Sequence, residues 1–135
     1  MEIEQAKRMP APAEAVFDVV SDVSRLHDWL PSVESAEEEG PDLVHMSGDR
    51  GGHHYDADSL FRAERDQLRV EWGTRGQGDY AGWLQIYSHD DGTSEVNIHL
   101  SFFDRLDHAV RGRRADEVEA ELGAALDRLA TQVSA

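Results

Sequence analysis

The sequence predicts an α+β domain in which a curved antiparallel sheet of about seven strands wraps around one long C-terminal helix. Three observations predict it: a two-turn apolar segment near the start, about seventy residues of strand-like alternation, and a closing stretch of helical periodicity. That order folds a sheet around a helix, and a sheet so folded encloses a cavity.

Taken in order, Ile3 to Met9 makes a first strand, ended at Met9-Pro10 because the residue before proline is pushed to extended geometry. Pro12 suits the first turn of a helix whose apolar face is Val16, Phe17, Val19 and Val20. Asp22-Val23-Ser24 ends that helix, and Ser24 caps a second short one over Arg25 to Leu30, closed by Pro31. From Ser32 the texture changes to short alternating runs separated by glycine. Strands are expected near Val33 to Glu39, Leu43 to Ser47, His54 to Glu64, Gln67 to Thr74, Tyr80 to Ser88 and Glu95 to Phe103. Between them Glu39-Gly40-Pro41-Asp42, Gly48 to Gly52, Arg65-Asp66, Gly76-Gln77-Gly78 and Asp90-Asp91-Gly92 supply the residues that turns require. After Phe103 the period becomes helical, with Val118, Leu122, Ala125, Leu126, Leu129 and Val133 on one face. Asp104 is a candidate cap and Gly112 a candidate break, so the firm helix runs from Ala115 to Val133.

Alternation then sorts the strand faces. Val96, Ile98, Leu100 and Phe102 share one side of the last strand, and Asn97, His99 and Ser101 the other. By the same rule Tyr55, Ala57, Ser59 and Phe61 point inward, as do Leu68, Val70 and Trp72. The strand from Tyr80 to Ser88 is apolar on both faces, for which a bulge at Gly82 is one explanation.

The 135 residues form one domain, 1–135, long enough to bury roughly 68–70% of its unfolded surface. With 13 basic and 28 acidic residues the formal charge is −15, which repels nucleic-acid backbones and anionic membranes. No apolar run approaches the roughly 18 residues of a membrane span. Neither nucleic-acid binding nor membrane insertion is therefore expected. The start of the chain has no secretory pattern and cysteine is absent, so a cytoplasmic monomer or homodimer is expected.

The run from Ala11 through Pro12, Val16, Phe17, Val19 and Val20 to Asp22, followed by Trp29-Leu30-Pro31, resembles the opening of START-like proteins of the polyketide cyclase/dehydrase and lipid-transport group, the SRPBCC superfamily. Asp91-Gly92-Thr93 before Val96 resembles that group's turn into its last strand. The order strand, two helices, six strands, long helix spans the entire chain and is similar to the helix-grip fold. The resemblance implies a cavity between sheet and long helix, which relatives use for lipids, hormones, flavonoids and polyketides. Some relatives cyclise and dehydrate aromatics, while others carry ligands or act on protein partners. It also implies a mouth formed by loops, with Gly48 to His53 and Arg75 to Asp79 as the glycine-rich candidates.

Within such a cavity Trp29, Tyr55, Phe61 and Trp72, with Tyr80 or Trp83, suit a flat apolar or aromatic ligand. Each of them taken alone is more at home filling a core, since large aromatics dominate ordinary cores. Relatives that cyclise polyketides use hydroxyls, an arginine and ordered water. The resemblance therefore makes Tyr55 and Ser59, as inward hydroxyls, and His27, at the pocket rim, the catalytic candidates. Arg62 and Arg69 fall on the outer face, and the missing inward arginine counts against a cyclase.

His54, Asp56 and Asp58 share a strand face beside His53, but donors at i, i+2 and i+4 along a strand lie too far apart to converge on one ion. No metal site is expected, and His45, His89, His99 and His108 read as surface or edge residues. Phosphate loops, nucleophile elbows and His-Glu-x-x-His segments are lacking, so no cofactor is expected either. The favoured function is binding of a hydrophobic, aromatic or lipid-like small molecule. The alternative is a polyketide cyclase, aromatase or dehydratase, and a third reading gives the outer face a protein partner.

Overall fold

The computed structural model describes residues 2–30, 33–50, 53–74, 80–102 and 115–134. Seven strands form one antiparallel sheet in the order β1-β7-β6-β5-β4-β3-β2. The strands are β1 (Glu2–Met9), β2 (Ser35–Gly40), β3 (Leu43–Arg50), β4 (His53–Glu64), β5 (Arg69–Thr74), β6 (Tyr80–Ser88) and β7 (Ser94–Phe102). Helices α1 (Ala13–Val20) and α2 (Leu26–Trp29) follow β1, and α3 (Ala115–Ser134) ends the chain. Every strand pairs with its sequence neighbour except β1, which returns to β7 and seats the N-terminus at the far edge of the meander. This is the helix-grip architecture that the sequence predicts.

Proline sets the first helix. Pro12 holds φ −63° and ψ 154°, and its carbonyl accepts from Ala15 and Val16, opening α1 without a side-chain cap. Ala13, Val16, Phe17, Val19 and Val20 are buried, the face expected from spacing. The next segment departs from expectation. Asp22, not Ser24, is the cap: its carboxylate accepts from the Ser24 backbone at 3.0 Å and hydroxyl at 2.6 Å, fixing a 3₁₀ turn over Val23–Arg25 before α2. Aspartate has the free acceptor that the position needs.

β6 has its expected bounds, and the other strands differ from expectation by one to three residues at one end or both. The turn after β4 is a 3₁₀ turn over Arg65–Gln67 that ends on Leu68 at φ 53°, so β5 starts at Arg69. The turn expected from Gly48 and the mouth loop expected over Gly48 to His53 are shorter than that: β3 runs on through Gly48, opposite Tyr55, to Arg50, and β4 starts at His53. The β5–β6 register runs unbroken from Arg69↔Gln85 to Gly73↔Ala81, so no bulge at Gly82 accounts for the two apolar faces of β6. The β6–β7 hairpin closes on Gly92 at φ 83°, with Asp91 accepting from the Thr93 backbone at 3.1 Å. Gly51-Gly52 of the turn expected from Gly48 to Gly52, the expected turn at Gly76-Gln77-Gly78, the mouth candidate Arg75 to Asp79, the cap at Asp104, the break at Gly112, Pro31 and His108 lie outside the described residues.

The core fills the concave side. Val96, Ile98, Leu100 and Phe102 of β7 and Val118, Leu122, Leu126 and Leu129 of α3 are all buried in one hydrophobic cluster. Each fully buried aliphatic contributes about 1.5–3 kcal/mol, which outweighs the modest helix propensity of so charged a helix. Among the described residues, no helix is long and apolar enough to cross a membrane.

Candidate ligand site

One row of the sheet organises the concave face. Phe61 of β4 lies opposite Trp72 of β5, which lies opposite Gly82 of β6 and, through it, Leu100 of β7. Gly82 has a steric cause: a Cβ there would stand 2.6 Å from Cε2 and Cζ2 of Trp72. The indole therefore lies flat across the backbone of β6, an arrangement that any other residue at position 82 blocks. From this seat Trp72 Nε1 donates to the Tyr80 hydroxyl at 3.1 Å, and Trp29 meets the ring edge-to-face at 6.2 Å and 81°. Tyr80 in turn packs on Phe102 at 5.2 Å. Trp29, Trp72, Tyr80, Phe102 and Phe61 are all buried, and they form one connected aromatic group.

Polar atoms are few in this group. Trp29 Nε1 is buried with no hydrogen-bond partner among the described residues, an N–H left unmade at about 1–3 kcal/mol. Ser59 is buried on β4, facing the same side as Phe61 two residues on, and Tyr55 is half-buried against the core. Tyr55, Ser59 and Phe61 thus share the face expected of them.

His27 stands elsewhere. Its half-exposed ring reaches Asp28 at 3.1 Å and borders an open depression of about 420 Å³ together with Asp28, Leu30, Val33, Glu34, Asp49 and Arg128. Neither Tyr55 nor Ser59 lines that depression, so the three catalytic candidates are not assembled in it. Leu30 and Val33 link the two regions, because both line the depression and belong to the buried cluster that holds Trp29 and Trp72. Arg128 escapes alternation of the strands because it comes from α3, where its Nε donates to the Asp28 carbonyl at 3.1 Å. It neighbours the buried Leu129, and helical spacing alone assigns it to the solvent face.

Trp83 requires a correction. It lies on the outer face of β6, stacked on His99 at 5.3 Å and 5° and covered by the Arg69 guanidinium at 4.7 Å. The alternation that buries Tyr80, Gly82, Leu84 and Ile86 forces Trp83 to the other side, away from the concave face. The second apolar face of β6 serves this cation–π stack. His99 is accordingly no simple surface residue, its side chain being only 19% exposed beside Glu2 and Glu4. Arg62 and Arg69 are both outward, as expected, paired with Glu64 at 3.0 Å and Glu71 at 2.7 Å.

On the same outer face His45 sits among Asp56, Asp58 and Glu39. The hydrogen bond that the ring donates to Asp58 chiefly, with Asp56 and Glu39 adding, raises the His45 pKa above its ordinary 6.5. Across the molecule Asp91 is held below its usual 3.8, first by the Thr93 hydroxyl, then by the Thr93 backbone N–H and Arg8.

A seven-stranded antiparallel sheet gripping a C-terminal helix defines the START-like, helix-grip fold class. The chain belongs to the family described as polyketide cyclase / dehydrase and lipid transport, whose profile matches residues 1–134. Among solved structures it is similar to the Zhui aromatase/cyclase from Streptomyces sp. R1128, with a TM-score of 0.80 at 19% identity over 99% of this chain and 93% of that one. A START superfamily protein from Mycobacterium smegmatis gives a TM-score of 0.74 at 15% identity, covering 98% of each chain. A protein from Thermus thermophilus gives 0.75 at 20% identity, over 98% of this chain and 97% of that one. No match is found among curated protein sequences. At these identities the likeness carries the fold alone.

Proposed function

We propose that this protein binds a hydrophobic small molecule, aromatic or lipid-like, in a cavity between the concave face of the sheet and α3. The observation that carries the reading is the connected group Trp29, Trp72, Tyr80, Phe102 and Phe61, which offers aromatic faces, a hydroxyl and an unpartnered indole N–H. A flat molecule with one carbonyl or hydroxyl suits that combination. The depression beside α2 supplies the entry in this reading, since Leu30 and Val33 lead from its rim to Trp29. Asp28, Glu34 and Asp49 outnumber Arg128 at that rim, so a neutral ligand is favoured over a fatty acid anion.

The test is native mass spectrometry of freshly purified protein, followed by a thermal-shift screen with neutral flavonoids, polycyclic aromatics and fatty acids. A ligand at 100 times its Kd stabilises by about 2.7 kcal/mol, a shift of several degrees. Neutral aromatics are expected to give that shift and fatty acids a smaller one. Protein that is ligand-free and indifferent to the whole panel overturns the proposal.

The buried Ser59 hydroxyl, with Tyr55 on the same strand face, supports a second reading, in which the bound molecule is a polyketide-like substrate that is cyclised or dehydrated. Incubation of a binding compound followed by mass analysis separates the readings. A chemical change that is abolished in Tyr55→Phe marks an enzyme; recovery of the unchanged compound marks a carrier.

A further inference from the structure

We infer that the outer face of the sheet carries a site for a divalent transition-metal ion, built from Glu39, His45 and Asp58. Their ligand atoms lie within 4.8 Å of one another. His45 Nδ1 is 3.0 Å from Asp58 Oδ1 and 3.8 Å from Glu39 Oε1. An ion about 2.0–2.2 Å from each donor spaces them at roughly 3.0–3.6 Å, so small rotations of half-exposed side chains complete the coordination. This inference is independent of the cavity and its ligand.

Three strands converge to build the trio. Antiparallel pairing sets His45 of β3 directly opposite Asp58 of β4, although they are distant in sequence. Glu39 comes from β2, where the register with β3 shifts between Glu38 and Gly40. An irregularity of that kind re-aims a side chain, and here the carboxylate turns toward the His45 ring. Donors spaced along one strand do not converge, but donors from three neighbouring strands do.

The use of the imidazole separates this group from an ordinary acidic patch. His45 Nε2 faces the Asp56 carboxylate in close contact, while Nδ1 faces two other carboxylates. Both ring nitrogens thus point at carboxylate oxygens, and on the Nδ1 side a nitrogen and two anionic oxygens from three strands surround one gap of the size a cation fills. A carboxylate on the far nitrogen is the outer partner that orients metal-bound histidine and raises its basicity. Asp56 therefore acts as a positioning residue, with Glu39, His45 and Asp58 as the ligands. One nitrogen and two carboxylate oxygens with open positions suit Zn²⁺ or its first-row neighbours better than Ca²⁺ or Mg²⁺. The competing occupant of the gap is a proton on Nδ1.

Zn²⁺ titrated calorimetrically into metal-stripped full-length protein at neutral pH decides between them. The expected result is a single one-to-one site, weakened at least about tenfold in His45→Gln and in Asp58→Asn and about tenfold in Asp56→Asn. His54→Gln, next to the cluster but outside it, is expected to bind as the unsubstituted protein does. Nitrogen-15 spectra are expected to show the His45 ring nitrogens shifting on Zn²⁺ addition. All four positions are partly exposed, and a circular dichroism spectrum confirms each variant folded. Unaltered binding by His45→Gln, or no binding by the unsubstituted protein at millimolar Zn²⁺, overturns the site and leaves the proton as its occupant.

Discussion

Replacing Gly82 with alanine tests the packing of the aromatic group directly. In a strand interior, Gly→Ala normally stabilises by about 0.4–1 kcal/mol, because it removes freedom from the unfolded chain. Here the new Cβ meets Trp72 at 2.6 Å from Cε2 and Cζ2 and 2.7 Å from Nε1. Carbon atoms rest about 3.5–4.0 Å apart, so the indole must retreat by roughly 1 Å. Its retreat is blocked by Trp29 on one side and stretches the 3.1 Å bond to Tyr80 on the other. Overpacking of this kind costs about 1–3 kcal/mol, and the weakened hydrogen bond about 1 kcal/mol more. The clash outweighs the entropic gain, leaving a net loss of about 2 kcal/mol. For a chain of this size that lowers Tm by roughly 6–10 °C. Urea unfolding of Gly82→Ala, Trp72→Phe and the double variant measures it. Phenylalanine lacks the clashing atoms, so Gly82→Ala is expected to cost at least about 1 kcal/mol less in the Trp72→Phe background. A Gly82→Ala protein as stable as its parent, or additive effects in the double variant, refutes the reasoning.

Three other outcomes are expected. Gly92→Ala meets no steric neighbour but must hold φ 83°, so it is expected to lose about 1 kcal/mol by chemical denaturation, with no change in fold by circular dichroism. Asp91→Asn removes a carboxylate whose folded-state pKa lies below 3.8, so the stabilisation is fully present above that value and fades as pH falls through the lowered one. The Tm difference between Asp91→Asn and its parent is accordingly expected to be constant above about pH 5 and to close in more acidic buffer. Trp83→Leu dismantles the stack with Arg69 and His99 and is expected to cost about 0.5–1 kcal/mol, while leaving any ligand-induced thermal shift intact. An abolished shift in that variant would return Trp83 to the cavity.

The elements that the sequence specifies well are those written in local chemistry. Met9-Pro10 ends β1, Pro12 opens α1, and period-two alternation buries Val96, Ile98, Leu100 and Phe102. The concave residues Phe61 and Trp72 follow from the same alternation, and the resemblance of the N-terminal run leads to the family. Asp22 and Ser24 are both good caps, and only geometry chooses between them. The strand from Tyr80 to Ser88 is ambiguous in sequence because aromatic residues sit on both of its faces, for unrelated reasons. Gly82 has the right location and the wrong cause, since a glycine that receives an indole reads the same as one in a bulge.

Trp83 and His45 escape the sequence through one shared gap. Alternation says which residues of a strand share a face, whereas pairing register says which residues of different strands meet. His54, Asp56 and Asp58 on one strand argue against a metal site, because only spacing along β4 is visible. Once β3 pairs with β4, His45 is carried to Asp58, and the irregularity in β2 adds Glu39. The same logic joins Trp83 to His99, paired directly across β6 and β7, and to Arg69, which is offset by two residues from Trp83's partner Glu71 on β5. Both outer-face groups join residues from neighbouring strands, while the concave face is mostly legible strand by strand. A sheet can thus disclose its core face in sequence and keep its opposite face hidden until the strands are paired.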